Sequence, residues 1–420
     1  MNTPLLRTKL FIPLLQPNQI SRLELIQRLN SGLENGCPLF LVSAPAGSGK
    51  TSLLADWLAG LQTSHSAACA WLALEESEND PIRFWSYCIA ALQTIHPEVG
   101  KNSLELLQAA QPAAAEVYLT LLINDLAECQ DQLVLVLDDF QLIQNLAVQQ
   151  GLVFWINHLP AQIHLVLSSR TDPLLPLARL RARRQMLELR YQDLRFSTSE
   201  AGLFLRATLQ LPLSDDEISI LVDRTEGWAA GLQIAALSLK KQQDSAAYIR
   251  TFSSLDRNLV DYFSEEILAN LPADLQSFLL MTASLDRFTA ELCQVISQNP
   301  DSSSLFDQLE RENLFIVPLD NNRQWYRFHS LFSDLLRHRL AKSISKDEQL
   351  ELHRRASCWF ELNGMDEDAL LQALTGQDFD RAGALLQRLG IWHILSGQSI
   401  TVLSWWQRFP GDWLADHPDL

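Results

Sequence analysis

The sequence predicts a doubly wound α/β domain with a parallel sheet, followed by helical domains. Three observations carry this. Residues 44–51 read APAGSGKT, between the apolar run Leu39-Phe40-Leu41-Val42 and the amphipathic stretch Leu53 to Leu58. Runs suited to buried parallel strands recur at Leu39–Val42, Cys69–Leu74, Leu133–Leu137 and Ile163–Leu167, with helical spacing between them over Pro81–Ile95 and Val117–Cys129. Beyond about residue 195 the strand pattern stops and helical spacing takes over.

In chain order, residues 1–36 are an entry segment with Pro4, Pro13 and Pro17, then a helix from Arg22 to Leu33. Strand, glycine loop and helix then give the context of a phosphate-binding P-loop. Residues Ala46, Gly47, Ser48, Gly49, Lys50, Thr51 and Ser52 form the cradle. Glycines let backbone N–H groups turn inward around an anion, and the next helix adds its N-terminal dipole. Lys50 is placed for the β- and γ-phosphates and Thr51 for Mg²⁺. The first position of G-x-x-x-x-G-K-S/T is Ala44, which a negative φ tolerates.

The α/β domain is expected over 1–195. Ser197-Thr198-Ser199-Glu200 is a helix start, opening a small helical domain over 196–252. Three helical stretches, Asn258–Asn270, Ala273–Ala283 and Ser303–Asn313, precede a hairpin of Leu314–Leu319 and Gln324–Phe328 turning at Asn321-Asn322. That is a winged-helix pattern over 253–345. Its third helix carries Asp307, Glu310 and Glu312 against Arg311, which disfavours DNA reading by that helix. From 346 to 420 helix pairs predict the start of an α-solenoid, too short to stand as a full array, so the sequence reads as a fragment or as naturally short.

Composition narrows the function. The 420 residues carry a net charge of −17 and are 47% hydrophobic, which fits globular domains and repels nucleic acid and anionic membrane overall. The six cysteines lie far apart without a C-x-x-C pair, as expected of thiols in a reducing cytoplasm. No apolar run is long enough to span a membrane.

Leu133 to Asp139 (LVLVLDD) delivers two carboxylates to a strand's C-terminal edge, where ligands sit in such sheets. Asp138 suits the Mg²⁺ shell and Asp139 the attacking water. An aspartate is shorter than the glutamate of fast ATPases, so slow hydrolysis is expected. Arg170 ends the next strand, either as a γ-phosphate sensor or as a plain surface arginine. Arg179, Arg181, Arg183, Arg184 and Arg190 read as a solvated face or a wall of the nucleotide cleft. His329, just after the hairpin, reads as a structural histidine on its own chemistry.

These pieces, in order, resemble the MalT-like, ATP-dependent LuxR-type transcriptional regulators of the STAND class of P-loop ATPases. The matching stretches are APAGSGKT, WLALEESENDPIRFWSYCIAAL, LVLVLDDFQLI, LVLSSRTDPLLPLARLRAR, LRFSTSEA, EGWAAGLQIAAL and FHSLFSDLLRHRL. The resemblance implies an ATP/ADP switch using Mg²⁺, with an ADP-bound resting state and self-association in the ATP state. An inducer, a small molecule or a protein, acts on the helical superstructure. DNA is bound only through a C-terminal domain absent from this chain. It further implies that Lys50, Asp138, Asp139 and Arg170 act on the nucleotide, that His329 touches the ADP β-phosphate, and that Arg22 lies near the base or ribose. Gly231-Leu232-Gln233 sits where related ATPases carry a Gly-x-Pro turn near the adenine. The alternatives are a working ATPase motor, a scaffold with a dead site, or a STAND ATPase serving defence or signalling.

Overall fold

The computed structural model describes residues 5–15, 19–109, 114–210, 213–240, 244–252, 256–312, 314–320, 322–395 and 399–417. They divide into two compact units, Met1–Thr251 with Arg311–Asn313, and Phe252–Glu310 with Leu314–Leu420.

The first unit is built on a parallel sheet of β1 (Leu39–Ser43), β2 (Ala68–Ala73), β3 (Leu133–Asp138), β4 (Ile163–Ser169) and β5 (Met186–Arg190), in the order β2-β3-β4-β1-β5. Its helices are α1 (Leu23–Glu34), α2 (Lys50–Thr63), α3 (Pro81–Gln93), α4 (Lys101–Leu107), α5 (Ala115–Ala127), α6 (Leu146–His158), α7 (Leu177–Ala182) and α8 (Tyr191–Leu194). Strand pleating divides the apolar runs between two cores. Leu39, Leu41, Leu135, Leu137 and Leu165 enter one core with Trp85, Leu122 and Trp155 of α3, α5 and α6. Phe40, Val42, Val134, Val136 and Val166 enter the other with Leu29 of α1 and Trp57 of α2. Both faces are thus covered, which is why these strands read as continuous apolar runs.

The four expected strands are present. The fifth, β5, was not foreseen: Met-Leu-Glu-Leu-Arg lies at the sheet edge, and its charged Glu188 and Arg190 pair with each other at 2.8 Å.

The helical part of the first unit contains α9 (Thr198–Leu209), α10 (Asp215–Thr225), α11 (Ala229–Leu239) and α12 (Ser245–Thr251). Ser197 caps α9 and Glu200 reaches back to the cap, as the sequence predicted. Ser214 and Glu217 repeat the device on α10. Between α10 and α11, Gly227 takes φ 70°, and a Cβ there would lie 2.4 Å from the Phe196 carbonyl oxygen. Only glycine fits that turn.

In the second unit, α13 (Arg257–Tyr262) leads through a π-turn at Phe263–Ile267 to α14 (Ala273–Thr282), α15 (Ala290–Ser297), α16 (Ser302–Arg311), β6 (Ile316–Pro318) and β7 (Tyr326–Phe328). The hairpin is antiparallel, and Phe288 bridges to Tyr326 beside it. Asn321 of the expected turn lies outside the described residues. The sequence reading missed α15, an eight-residue helix capped by the Thr289 side chain. The winged-helix core is therefore α14–α16 with the hairpin, and the expected helix over Asn258–Asn270 becomes its lead-in. Helices α17 (Ser330–Ser343), α18 (Lys346–Leu362), α19 (Asp366–Thr375), α20 (Phe379–Leu395), α21 (Ser399–Trp406) and α22 (Gly411–Asp416) complete the unit. Among the described residues no helix is long and apolar enough to cross a membrane.

Candidate functional site

The site forms where three parallel strands end. β1 runs into the glycine loop, and the loop's first N–H, that of Ala44, still bonds to Ser169 O at the end of β4 (3.2 Å). Positive φ occurs at Gly47 (70°) and Gly49 (83°) and not at Ala44, so the missing first glycine costs the loop nothing. Among the described residues, no acceptor takes the N–H of Ala46, Gly47, Ser48 or Gly49. The Ser48 hydroxyl is buried without a hydrogen bond. Backbone donors left unspent beside a helix N-terminus are what a phosphate requires.

Lys50 opens α2 and is 8% exposed. Its Nζ donates to the carbonyls of Ala44 (2.7 Å) and Pro45 (3.0 Å). Burial, reinforced by the charge of Arg170, pulls its pKa down to about 8, against the opposing charges of Asp138 and Asp139. These three residues, at the ends of β3 and β4, thus share the electrostatic environment of Lys50. Thr51 Oγ1 donates to Asp138 Oδ2 at 2.8 Å. Burial pushes the Asp138 carboxyl upward, while the Ser168 and Thr51 hydroxyls draw it back. One hydroxyl and one carboxylate suit Mg²⁺, which takes its other oxygens from phosphates and water. Ser52 is exposed, and its carbonyl accepts from Gln19 Nε2 (2.8 Å).

Asp139 adopts the left-handed conformation (φ 57°, ψ 39°), which turns the chain sharply after β3. Gln141 was not singled out from the sequence, although it lies inside LVLVLDDFQLI. Its Nε2 donates to Asp139 Oδ1 (2.8 Å) and its Oε1 accepts from the Arg170 N–H (2.9 Å). Asn79 steadies the following loop, accepting from the Gln144 N–H (2.7 Å) and donating to Leu142 O (2.6 Å).

Two further residues escaped the sequence reading because they meet the loop only in three dimensions. Trp228 Nε1 donates to Ala46 O (3.0 Å), and the Ala230 N–H donates to Gly47 O (3.0 Å). The helical part thereby holds the glycine loop through its carbonyls. The contact is made by Trp228 and Ala230, while a Cβ on Gly231 of α11 would meet Trp228 at 2.7 Å.

Arg22 lies at the joint between β5 and α9. Its guanidinium donates to Leu194 O (2.5 Å), Arg195 O (2.8 Å) and Glu200 Oε1 (3.0 Å), and it stacks 4.7 Å from the Phe196 ring. Those bonds make it a tie across the joint. Of the arginine cluster, Arg181 pairs with Glu188 (2.7 Å) and Arg190 bonds to Asp172, which also accepts from Ser43 Oγ (2.8 Å). Arg179, Arg183 and Arg184 are exposed. In the second unit His329 is buried at the start of α17, and its N–H donates to Phe315 O (2.7 Å).

Such a loop, with its lysine, strand-end carboxylates and parallel sheet, defines a P-loop ATPase, here joined to a winged helix. Residues 18–168 match the AAA ATPase domain family, and residues 264–348 match the MalT winged helix domain. The chain is 33% identical over 376 residues to the HTH-type transcriptional regulator MalT of Klebsiella pneumoniae, a match covering 89% of this chain and 41% of that protein. It is 31% identical over 350 residues to the serine/threonine-protein kinase PknK of Mycobacterium tuberculosis, covering 83% of this chain and 31% of the kinase. Among solved structures, a Walker-type ATPase of Pyrococcus abyssi shares the fold with a TM-score of 0.52 at 17% identity, over 77% of this chain and 97% of that one. The chain thus carries an AAA-type P-loop ATPase domain and a MalT-type winged helix domain. It spans well under half the length of the curated relatives it matches.

Proposed function

We propose that this chain is the nucleotide-controlled switch of a signal-responsive transcriptional regulator in the cytoplasm. The observation that carries this reading is the pair of hydrogen bonds from Trp228 and Ala230 to the carbonyls of Ala46 and Gly47. Through them a phosphate that reshapes the loop pulls on the helical part as well. Homology to MalT over 89% of the chain supports the regulatory role.

The substrate is ATP, which with water gives ADP and inorganic phosphate. Mg²⁺, taken by Thr51 and Asp138, supplies charge neutralisation on the phosphates. The N–H groups of Ala46 to Gly49 bind phosphate oxygens. Lys50 exchanges two neutral carbonyls for an anion, which restores the charge that burial disfavours. Asp139 orients the water, and Arg170 at the end of β4 registers the terminal phosphate. Hydrolysis is slow and resets the switch. ATP favours self-association, and an inducer biases the exchange of ADP for ATP. His329 favours the ADP form. DNA is reached through parts of the protein outside this chain.

Purified protein tested for released nucleotide, then sedimented with ADP and with a non-hydrolysable ATP analogue, checks this. Retained ADP and a larger species only with the ATP analogue are expected. Turnover near the enzyme median of about 10 per second overturns it. The kinase match favours a second reading, the same ATPase switch joined to another effector in signalling. A regulator binds specific DNA through the whole protein, whereas that alternative does not.

A further inference from the structure

We propose that Gln141 is a positioning residue for hydrolysis, aiming the Asp139 carboxylate and tying it to the end of β4. The inference rests on the nucleotide reading of this site. No sequence motif assigns Gln141 a task.

The geometry is specific. One side-chain amide spans two strand ends, with Nε2 on Asp139 Oδ1 at 2.8 Å and Oε1 on the Arg170 N–H at 2.9 Å. The two partners also fix which way the amide faces. A carboxylate only accepts and a backbone N–H only donates, so the flipped amide would lose both bonds. Asp139 needs such a tie. It sits in the left-handed region at the start of the short turn Phe140–Leu142, away from the rigid ladder of β3. The turn itself is anchored by buried Phe140 and by the Asn79 bonds to Leu142 O and the Gln144 N–H. Gln141 therefore stands on a fixed base.

The consequence for the reaction follows. Asp139 accepts a hydrogen bond from the attacking water, whose oxygen bonds to the terminal phosphorus as the bond to the bridging oxygen breaks. That oxygen leaves with ADP, and the water's proton passes to phosphate or solvent. With Oδ1 committed to Gln141, the carboxylate keeps one orientation. A shift of the Arg170 backbone is transmitted to Asp139 through a single side chain, so the strand end that registers the terminal phosphate also sets the aim of the group that positions the water. The positional demand on such a group is steep, because small misplacements cost large rate factors.

Gln141→Glu tests this in the full chain. It keeps the shape and the acceptor for the Arg170 N–H, removes the donor to Asp139 and sets two carboxylates face to face. Gln141→Leu removes both bonds without adding charge. Under saturating Mg-ATP, single-turnover hydrolysis is expected to fall at least tenfold in each variant, with KM for ATP and Kd for ADP within threefold of the parent. Melting of the nucleotide-free protein supplies a readout independent of turnover. Gln141→Glu lowers the melting temperature, and adding Asp139→Asn restores it, because the new amide can donate where the Asp139 carboxylate repelled. Unchanged hydrolysis in both variants with normal ADP binding overturns the proposal while leaving the nucleotide reading intact, and so does a KM that rises in step with the loss of rate. A parent protein that binds neither ADP nor Mg-ATP overturns both.

Discussion

Lys9 and Lys50 are both buried in the first unit, 5% and 8% exposed, yet their environments are opposite. Lys9 Nζ meets Glu78 at 2.7 Å and Glu75 at 2.9 Å. Burial works against its charge, but the hydrogen bonds it donates to these carboxylates win, and its pKa rises. Glu78 is fully buried. Desolvation works against its charge too, and the bonds from Lys9, Arg83 and Ser77 overrule it, so its pKa falls. Lys50 has only carbonyls within bonding distance, and its pKa drops to about 8. The first cluster is electrostatically finished and ties the entry segment to the start of α3. The second carries a deficit that an anion removes. A buried cation without a contacting carboxylate is thus a binding signal, and one with such partners is a structural one.

The largest expected effect falls on the finished cluster. Glu78→Gln leaves Lys9 and Arg83 short of a buried partner and costs about 3 kcal/mol. In the full chain the transition of the first unit should drop by about 6–12 °C, with ADP affinity unchanged within twofold. Because the folded pKa of Glu78 lies below its ordinary value of 4.5, the stability it confers is complete above that value and is lost as pH falls through the lower folded value. Melting curves of the parent and the Glu78→Gln variant should therefore converge in acid. A gap that persists there shows that packing, not charge, holds the cluster.

Lys50→Met acts in the opposite sense. It should weaken ADP binding at least about 100-fold, or about 2.7 kcal/mol, while the nucleotide-free protein melts no lower than the parent, since a costly buried charge has gone. A melting loss as large as that of Glu78→Gln would erase the contrast between the two lysines.

Trp228→Phe should have a smaller effect. It keeps an aromatic ring and removes the indole N–H from the Ala46 carbonyl, at about 1 kcal/mol. Nucleotide affinity is expected to fall severalfold, read by titration with a fluorescent ADP analogue. Unchanged affinity would mean that the helical part does not shape the loop. The smallest effect is at His329: His329→Ala should shorten ADP retention more than it weakens ATP binding, and equal losses would remove the histidine from the switch.

Much of this fold is written locally. β1 to β4 are legible because strands covered on both faces are apolar throughout, and α9 is legible from its Ser197–Glu200 cap. β5 is not, since Glu188 and Arg190 interrupt its pattern and find their charges' partners only after folding. α15 is too short to show a helical period. Within the site, the glycine loop and the strand-end carboxylates are sequence-local, whereas the bond from Trp228 to Ala46 joins residues 182 positions apart. Gln141 was within reach: a side chain with both donor and acceptor, two residues beyond a strand-end carboxylate, can bridge it to a neighbouring strand. Arg22, like Trp228, is hidden from local reading, since its hydrogen bonds go to Leu194, Arg195 and Glu200, far along the chain.

The most direct measurement is titration calorimetry of the folded chain with ADP and with Mg-ATP, run beside Lys50→Met. One saturable site per chain, absent in the variant, is the predicted result. A folded parent protein that gives no heat with either nucleotide, or heat that survives the loss of Lys50, contradicts an anion-completed loop as the origin of the switch.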